Sequence, residues 1–327
     1  MSVKALFPMP DFPKDLPEFE RRFATEEACA EYLKEQRWPD GFLCPACRHP
    51  HGWTNQRGAI ECKACGHQTS LTADTILHGT RHPLRLWFQA MWWVCTQKTG
   101  MSAAGLKRIL GFSSMQTAWT WLLKLRQAMV RLEREPLTGR VEVDDAWLGG
   151  EPPTSEKGWR GARLAVGVEL DLEDGSLGRI RLQDITPAPE RLMIAFVRQE
   201  VLPGSILETD AWPGFTTLDR DGYSHRVISE TDDPARSLPQ VRRMVTLVRR
   251  WLLGTHQGRV ERHHLQSYLD EFVFRFNRRK SPHVGLLFQR LLSQGARVKA
   301  RPYKTWAERG KKAPSHNMSE VEKPAKK

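Results

Sequence analysis

Hydrophobic and polar positions along this chain change their period twice. From Thr25 to Arg37 (TEEACAEYLKEQR) apolar residues recur at helical spacing. Thr25 is placed to cap that helix, and Glu26 and Glu27 fall in its first turn, where the helix dipole favours acids. Residues 41–72 carry no period and are rich in Gly and Cys. The helical pattern returns from Pro83 to Leu132, in LRLWFQAMWWVCTQ, SAAGLKRILG and SSMQTAWTWLLKLRQAMVRL. Pro136 and Gly139 mark a boundary near residue 137. Beyond it, RVEVDDAWLGG, RLAVGVELDL, GRIRLQDI, SILETDAW and SHRVISE read as strands, with a helix between Ala188 and Leu202. Leu238 to Leu253 and His263 to Arg279 predict two more helices. The pattern predicts an α/β protein: a mixed sheet covered by helices, preceded by smaller modules. The expected organisation is a lead-in over 1–40 with one short helix, a Cys-rich module over 41–72 and a helical region over 83–132. A sheet-bearing domain over 138–292 and a basic, disordered tail over 304–327 follow.

Composition narrows the class of partner. The 327 residues are 40% hydrophobic, too apolar for a disordered chain, and Lys and Arg exceed Asp and Glu by 50 to 38, a net charge of +12. That excess favours a polyanionic partner. No run approaches the ~18–20 apolar residues of a spanning helix, so an integral membrane protein is not expected. The first residues carry acids and prolines where a signal peptide needs a basic start and an apolar block, which predicts a cytoplasmic chain.

Six cysteines in a long chain of this kind point to metal rather than to a disulfide scaffold. Cys44-Pro-Ala-Cys47 and Cys62-Lys-Ala-Cys65 are separated by fourteen residues. Two such knuckles can close a tetrahedron of thiolates around structural Zn²⁺ with no open position. The competing reading, two redox CxxC motifs, fits less well because such motifs come singly and open a helix. His49, His51 and His67 are expected in solvated loops, and Cys29 and Cys95 as small buried hydrophobes.

Residues 102–126 have the outline of a helix-turn-helix, with Gly111 at the turn and Ser113 or Ser114 as the second cap. Ala118, Leu122 and Leu125 share one face. Gln116, Thr117, Trp119, Thr120 and Lys124 lie towards another, offering short polar groups for base edges and a cation for phosphates. An ordinary helical hairpin is the alternative. Trp87, Trp92 and Trp93 are expected in the core.

Two acids stand out by their setting at strand ends. Glu142 and Asp144 share one strand face while Val141 and Val143 share the other. Asp210, sixty-six residues later with strands and a helix between, closes another candidate strand. Carboxylates that converge at a sheet edge can hold a pair of Mg²⁺ ions for in-line attack at a phosphate. Solvated turn residues are the alternative at either position.

Taken in order, CPAC…CKAC, the paired helices, VEVDDAWLGG, TDAWPGF, RRWLLGTHQG and LQSYLDEFVFRFNRR make the chain resemble insertion-sequence transposases of the IS1595 family, over about residues 27–292. The resemblance implies an RNase H-like catalytic domain. It also implies DNA cleavage and strand transfer with Mg²⁺ or Mn²⁺, and binding of terminal inverted repeats and target DNA by a homo-oligomer. Carried over, Asp144 and Asp210 take the places of the first two metal-binding acids. The third position, where the family carries Glu, Asn or His with a Lys seven residues on, falls at Arg242, and the Lys falls at Arg249. A guanidinium has no lone pair for a metal, though Arg249 can hold a phosphate. Asp145 keeps the charge of the acid expected after the first Asp, and Gln240, Glu230 or Asp233 are alternative third donors. Arg242 also keeps open a second reading, a transposase-derived DNA-binding protein that has lost catalysis. Arg236, Arg242, Arg243, Arg249 and Arg250, extended by Arg275, Arg278 and Arg279, are expected to form a DNA-backbone surface.

Overall fold

The computed structural model describes residues 11–131, 133–149, 161–228, 238–257 and 260–300. Two short helices open it: α1 (Leu16–Arg22), capped by the Asp15 side chain, and α2 (Glu26–Arg37), capped by Thr25 as its sequence predicts. A three-stranded antiparallel ribbon follows, made of β1 (Gly52–Thr54), β2 (Ile60–Cys62) and β3 (Gln68–Thr69). The chain then returns to helices: α3 (Leu84–Thr96), α4 (Ala103–Leu110) and α5 (Met115–Ala128). Gly111, at φ 67°, ends α4 in the left-handed region where a side chain is disfavoured. Ser114 then caps α5.

The second half is the mixed sheet. Its strands are β4 (Arg140–Leu148), β5 (Ala162–Leu170), β6 (Leu177–Asp184), β7 (Ile206–Thr209) and β8 (Ser224–Val227), in the order β6-β5-β4-β7-β8. β4, β5 and β6 pair antiparallel, whereas β7 and β8 run parallel to β4. This is the RNase H-like arrangement. α6 (Pro189–Glu200) covers one face and buries Val141, Val143 and Ala165 against Phe196 and Val197. The other face carries Leu164, Val166, Val168, Ile180 and Leu182. It packs under α7 (Pro239–His256) and α8 (Leu265–Phe276). β6 is an edge strand, and α8 closes its open side. Asn277 accepts from the Ile180 N–H at 2.8 Å and donates to its carbonyl at 3.1 Å, while Gln266 accepts from Asp184 N–H at 2.9 Å. Those bonds deny the edge to another strand.

The last helix, α9 (Val284–Gly295), lies away from the sheet's cores. The sequence assigns residues up to 292 to the sheet-bearing domain; in the fold Phe288, Leu291 and Leu292 complete the helical core instead. There they meet Phe19, Phe23, Cys29, Tyr32, Leu33, Trp87, Phe88 and Trp92. Phe288 packs edge-on to Phe19 at 5.3 Å, and Trp87 stacks on Trp121 at 3.5 Å, so Trp87 and Trp92 are core residues as expected. Cys29 and Cys95 are buried too, and burial pushes both thiols up to about 12.

The two halves are joined by a buried ion pair. Arg126 of α5 donates to Glu271 of α8 at 2.7 Å, with both side chains 1% exposed, and its guanidinium lies 3.7 Å from the centre of the Tyr268 ring. Glu230, Asp233, Arg236 and the 304–327 tail lie outside the described residues.

Candidate metal centres and nucleic-acid interface

The ribbon's two knuckles are built alike. In the first, Cys44 N–H donates to the His49 carbonyl at 3.0 Å and Arg48 N–H returns to the Cys44 carbonyl at 2.9 Å. In the second, Cys62 and Gly66 repeat the pattern with His67, both bonds at 3.0 Å. Arg48 and Gly66 occupy the same left-handed turn position, at φ 63° and 68°. The turns bring all four sulfurs within 4.8 Å of one another. Cys44 and Cys65 Sγ lie 3.7 Å apart, and Cys47 and Cys62 Sγ 3.5 Å apart. A tetrahedron with Zn–S bonds of ~2.3 Å has edges of about 3.8 Å, so the donor set fits Zn²⁺. His51 and His67 are exposed in loops.

At the sheet, strand register does what sixty-six intervening residues obscure. β4 and β7 are parallel, with Arg140 beside Ile206 and Glu142 beside Glu208. Two residues further in the same register, Asp210 stands beside Asp144. Asp210 ends its strand with an Asx turn, its Oδ1 accepting from Trp212 N–H at 3.1 Å. The Trp212 ring folds back over Gly214, within 2.2 Å of where a Cβ would sit, so a side chain there would displace the ring. Asp144 is pushed up to about 7, first by burial and then by the charge of Asp210, while the Asp145 N–H at 2.7 Å and the charge of Arg242 oppose the shift. Asp145 itself is held by Arg163, whose Nη2 donates to it at 2.8 Å.

Glu142 has a different task from its neighbour on the same face. Its buried carboxylate accepts from Gln240 N–H at 2.9 Å and Val241 N–H at 3.1 Å, the open first turn of α7. A carboxylate there satisfies orphan donors and complements the helix dipole. Burial raises the Glu142 pKa despite those bonds. The contact fixes where α7 begins, and so where Arg242 lies. Arg242, Thr246 and Arg249 descend one side of α7 into a cleft of about 360 Å³ that Asp144, Asp145 and Trp147 close from β4. Arg249 donates to the Trp147 carbonyl. The sequence placed Asp144, Asp210, Arg242 and Arg249 at one site, and the fold groups them; it gives no sign of the Glu142 contact, because a cap to a helix ninety-eight residues away leaves no local pattern.

The arginines of α7 point outward as its apolar stripe requires: Arg242, Arg243, Arg249 and Arg250 are exposed, while Val241, Met244, Val245 and Val248 are buried. Arg279 extends this surface, lying close enough for Arg243 to lower its pKa alongside burial. Arg275 and Arg278 do not. Arg275 turns inward to the Val94 carbonyl at 2.6 Å, and Arg278 bonds the Phe274 carbonyl of its own helix at 3.1 Å.

On α5, Gln116, Thr117, Thr120 and Lys124 line a groove of about 380 Å³ whose other wall is Thr80, Arg81 and His82. Burial lowers the Lys124 pKa. Trp119 is absent from that face; it packs edge-on against His264 at 4.8 Å, where the helix docks on the second half. Arg81 and His82 belong to the segment leading from the ribbon into α3, and their part in the groove depends on the fold.

Comparison with known proteins agrees with this construction. Residues 136–277 match the ISXO2-like transposase domain, and residues 24–68 the transposase zinc-ribbon domain. A Halobacterium salinarum protein described as an uncharacterized protein in transposable element ISH50 is 25% identical over 279 residues, covering 78% of this chain and 92% of its own. A chain from the simian T-cell lymphotropic virus intasome, solved in complex with PP2A regulatory subunit B56 gamma, covers 51% of this chain and 67% of its own. At 16% identity and a TM-score of 0.27 that overlay carries no argument. With a zinc ribbon and a sheet domain each matching its counterpart in the same order, the chain belongs to the IS1595 transposase family.

Proposed function

We propose that this transposase binds the terminal inverted repeats of its element and cuts and joins DNA with Mg²⁺ or Mn²⁺. The observation that carries the reading is that Asp144, midway along β4, lies beside Asp210, just past the end of the parallel strand β7. Burial and mutual repulsion hold the Asp144 carboxyl up at about 7. Two hard oxygen donors that repel one another in a partly dry cleft suit a divalent cation. Among the described residues the pair supplies two such donors, and Arg242 beside it offers charge without a lone pair. A divalent ion bound between the carboxylates supplies charge stabilisation at the attacking and leaving oxygens of a phosphodiester.

The chain's own groups arrange the substrate. Asp144 and Asp210 would hold the cation, and Arg163 holds Asp145 aside in an ion pair. Arg242 and Arg249, on one side of α7, present their guanidinium groups to a phosphate entering the cleft. Arg243 and Arg250 continue the positive surface along the backbone. Gln116, Thr117 and Lys124 of α5 face a second stretch of DNA, with the α4–α5 pair acting as a helix-turn-helix. Handling two ends implies a homo-oligomer on DNA.

Strand cleavage of a plasmid carrying the element's own ends tests the reading. Wild type is expected to nick in Mg²⁺ or Mn²⁺, and Asp210→Asn to fall below detection while still binding the ends. Arg242 favours a second reading, a transposase-derived protein that binds DNA without cutting it. Intact binding with no metal-dependent nicking by wild type would select that one.

A further inference from the structure

The end of α5, strand β6, the end of α8 and α9 enclose a cavity of about 470 Å³. It lies at the edge strand, two strands across the sheet from β4, and Asp144, Asp210 and Arg242 take no part in it. Two carboxylates, Glu135 and Asp270, line it, but they are outnumbered by seven arginines. Those nearest the sheet are neutralised: Arg179 pairs with Glu169 at 2.6 Å, and Arg181, with Arg134, shares Glu200. Arg131, Arg278 and Arg290 come from three separate elements and have no carboxylate in ion-pair range among the described residues. Arg278 is the enclosed member. Its Nε is sealed from solvent without a hydrogen-bond partner, and so is the Oε1 of Gln294 on the same wall. Burial, then the charges of Arg290 and Arg131, push Arg278 down to about 10. Arg290 is lowered in the same way, by burial and by Arg131.

Cations that repel one another around a cavity, one of them desolvated with an idle donor, form a site for an anion. We propose that this cavity binds phosphate groups, with Arg131, Arg278 and Arg290 gripping their oxygens. Planar guanidinium forks match phosphoryl oxygens in pairs, and three of them on separate walls suit linked phosphates better than a single one. That chemistry is shared by the backbone of DNA and by free pyrophosphate. The DNA source rests on the transposase reading above; the pyrophosphate source does not.

Calorimetric titration of the full-length, zinc-loaded protein with inorganic pyrophosphate, and separately with a short duplex across a range of salt, tests the site. Arg131 and Arg290 are exposed, so Arg131→Ala/Arg290→Ala should leave the fold intact. A control, Arg21→Ala/Lys34→Ala, removes the same charge elsewhere. Relative to that control, the cavity variant should bind pyrophosphate roughly tenfold more weakly, which identifies a free phosphate ligand. Alternatively it should reduce the salt slope of duplex binding by about two, which identifies the DNA backbone. No difference from the control in either titration overturns the proposal. Labelling of wild-type arginines by phenylglyoxal gives an independent reading should the variant misfold. Pyrophosphate or duplex is expected to protect Arg131 and Arg290, and absence of protection by both overturns the proposal.

Discussion

The four thiolates of the ribbon and the two carboxylates of the sheet are assembled over different lengths of chain. The thiolates come from twenty-two consecutive residues, and two turns with the same hydrogen bonds place them. Asp144 and Asp210 meet only if β4 and β7 lie side by side in one register, which needs the antiparallel strands, α6 and both faces of the core. The ribbon site is full, with four donors at tetrahedral spacing. Among the described residues, Asp144 and Asp210 come together, and Asp144 shares its cleft with Asp145 and Arg242. A locally made site therefore depends on its metal, whereas a site made by the whole fold depends on the core beneath it.

The largest effect should come from breaking the first of these. Cys44→Ser, or a strong chelator, should remove the bound zinc and melt the ribbon, since structural Zn²⁺ in small fingers contributes ~10–16 kcal/mol. Zinc analysis should fall to zero per chain. Trypsin should then cut at Arg57 and Lys63 while the sheet domain stays resistant; a ribbon that resists trypsin without zinc would refute this.

The converse perturbation attacks the core. Arg126→Met strands Glu271 in a buried position, and breaking such a pair costs about 3–5 kcal/mol. The urea midpoint should drop while the zinc content is unchanged. If both sites are lost together, the two do not have the independence inferred above.

A smaller effect separates charge from packing at Asp144. Its pKa, raised to about 7, means that the folded state keeps a proton which the unfolded chain releases near pH 4. Stability attributable to this group is thus greatest at low pH, falls between about pH 4 and pH 7, and is flat above. Asp144→Asn should flatten that slope and melt higher than wild type at pH 8 without metal, by a few kcal/mol at most. Mg²⁺ at pH 8 should raise the melting temperature of wild type and leave the variant unmoved.

The smallest effect should sharpen the donor count. Arg242→Glu replaces a cation of the cleft with a further carboxylate. It should tighten Mg²⁺ by about tenfold, ~1.4 kcal/mol, read from the metal-dependent melting shift. Unchanged Mg²⁺ affinity would mean that position 242 does not face the ion.

Much of this was legible in the residues because the relevant chemistry is local or periodic. CxxC spacing alone predicts the ribbon's ligands, and strand parity places Asp144 opposite Val141 and Val143, as the packing has it. Five strands appear where alternation predicts them, each ending earlier than its segment and two of them, β5 and β6, starting one residue sooner. The three ribbon strands are too short to carry a period, since metal and turns hold them rather than an apolar face. α1 was signalled by Asp15-Leu16-Pro17-Glu18, a cap followed by a first-turn proline, which the apolar pattern alone does not reveal. α9 has an ordinary amphipathic stripe; nothing in Leu286, Leu287, Phe288 or Leu291 says which core it fills. For the same reason Arg278 reads as part of the α7 surface, although the end of α8 turns it into a cavity.

The destination of α9 has a consequence for how the molecule is made. Helices α1 to α5 leave the ribosome before the sheet does, yet Phe288, Leu291 and Leu292, which close their core, emerge after the five strands of the sheet. The α4–α5 pair therefore gains its finished support only after the last strand of the sheet has been made. A chain that stops early, by frameshift or a broken message, holds the ribbon but not a completed helical core. Synthesis thus couples completion of the helical half to the presence of Asp144 and Asp210 in the same polypeptide.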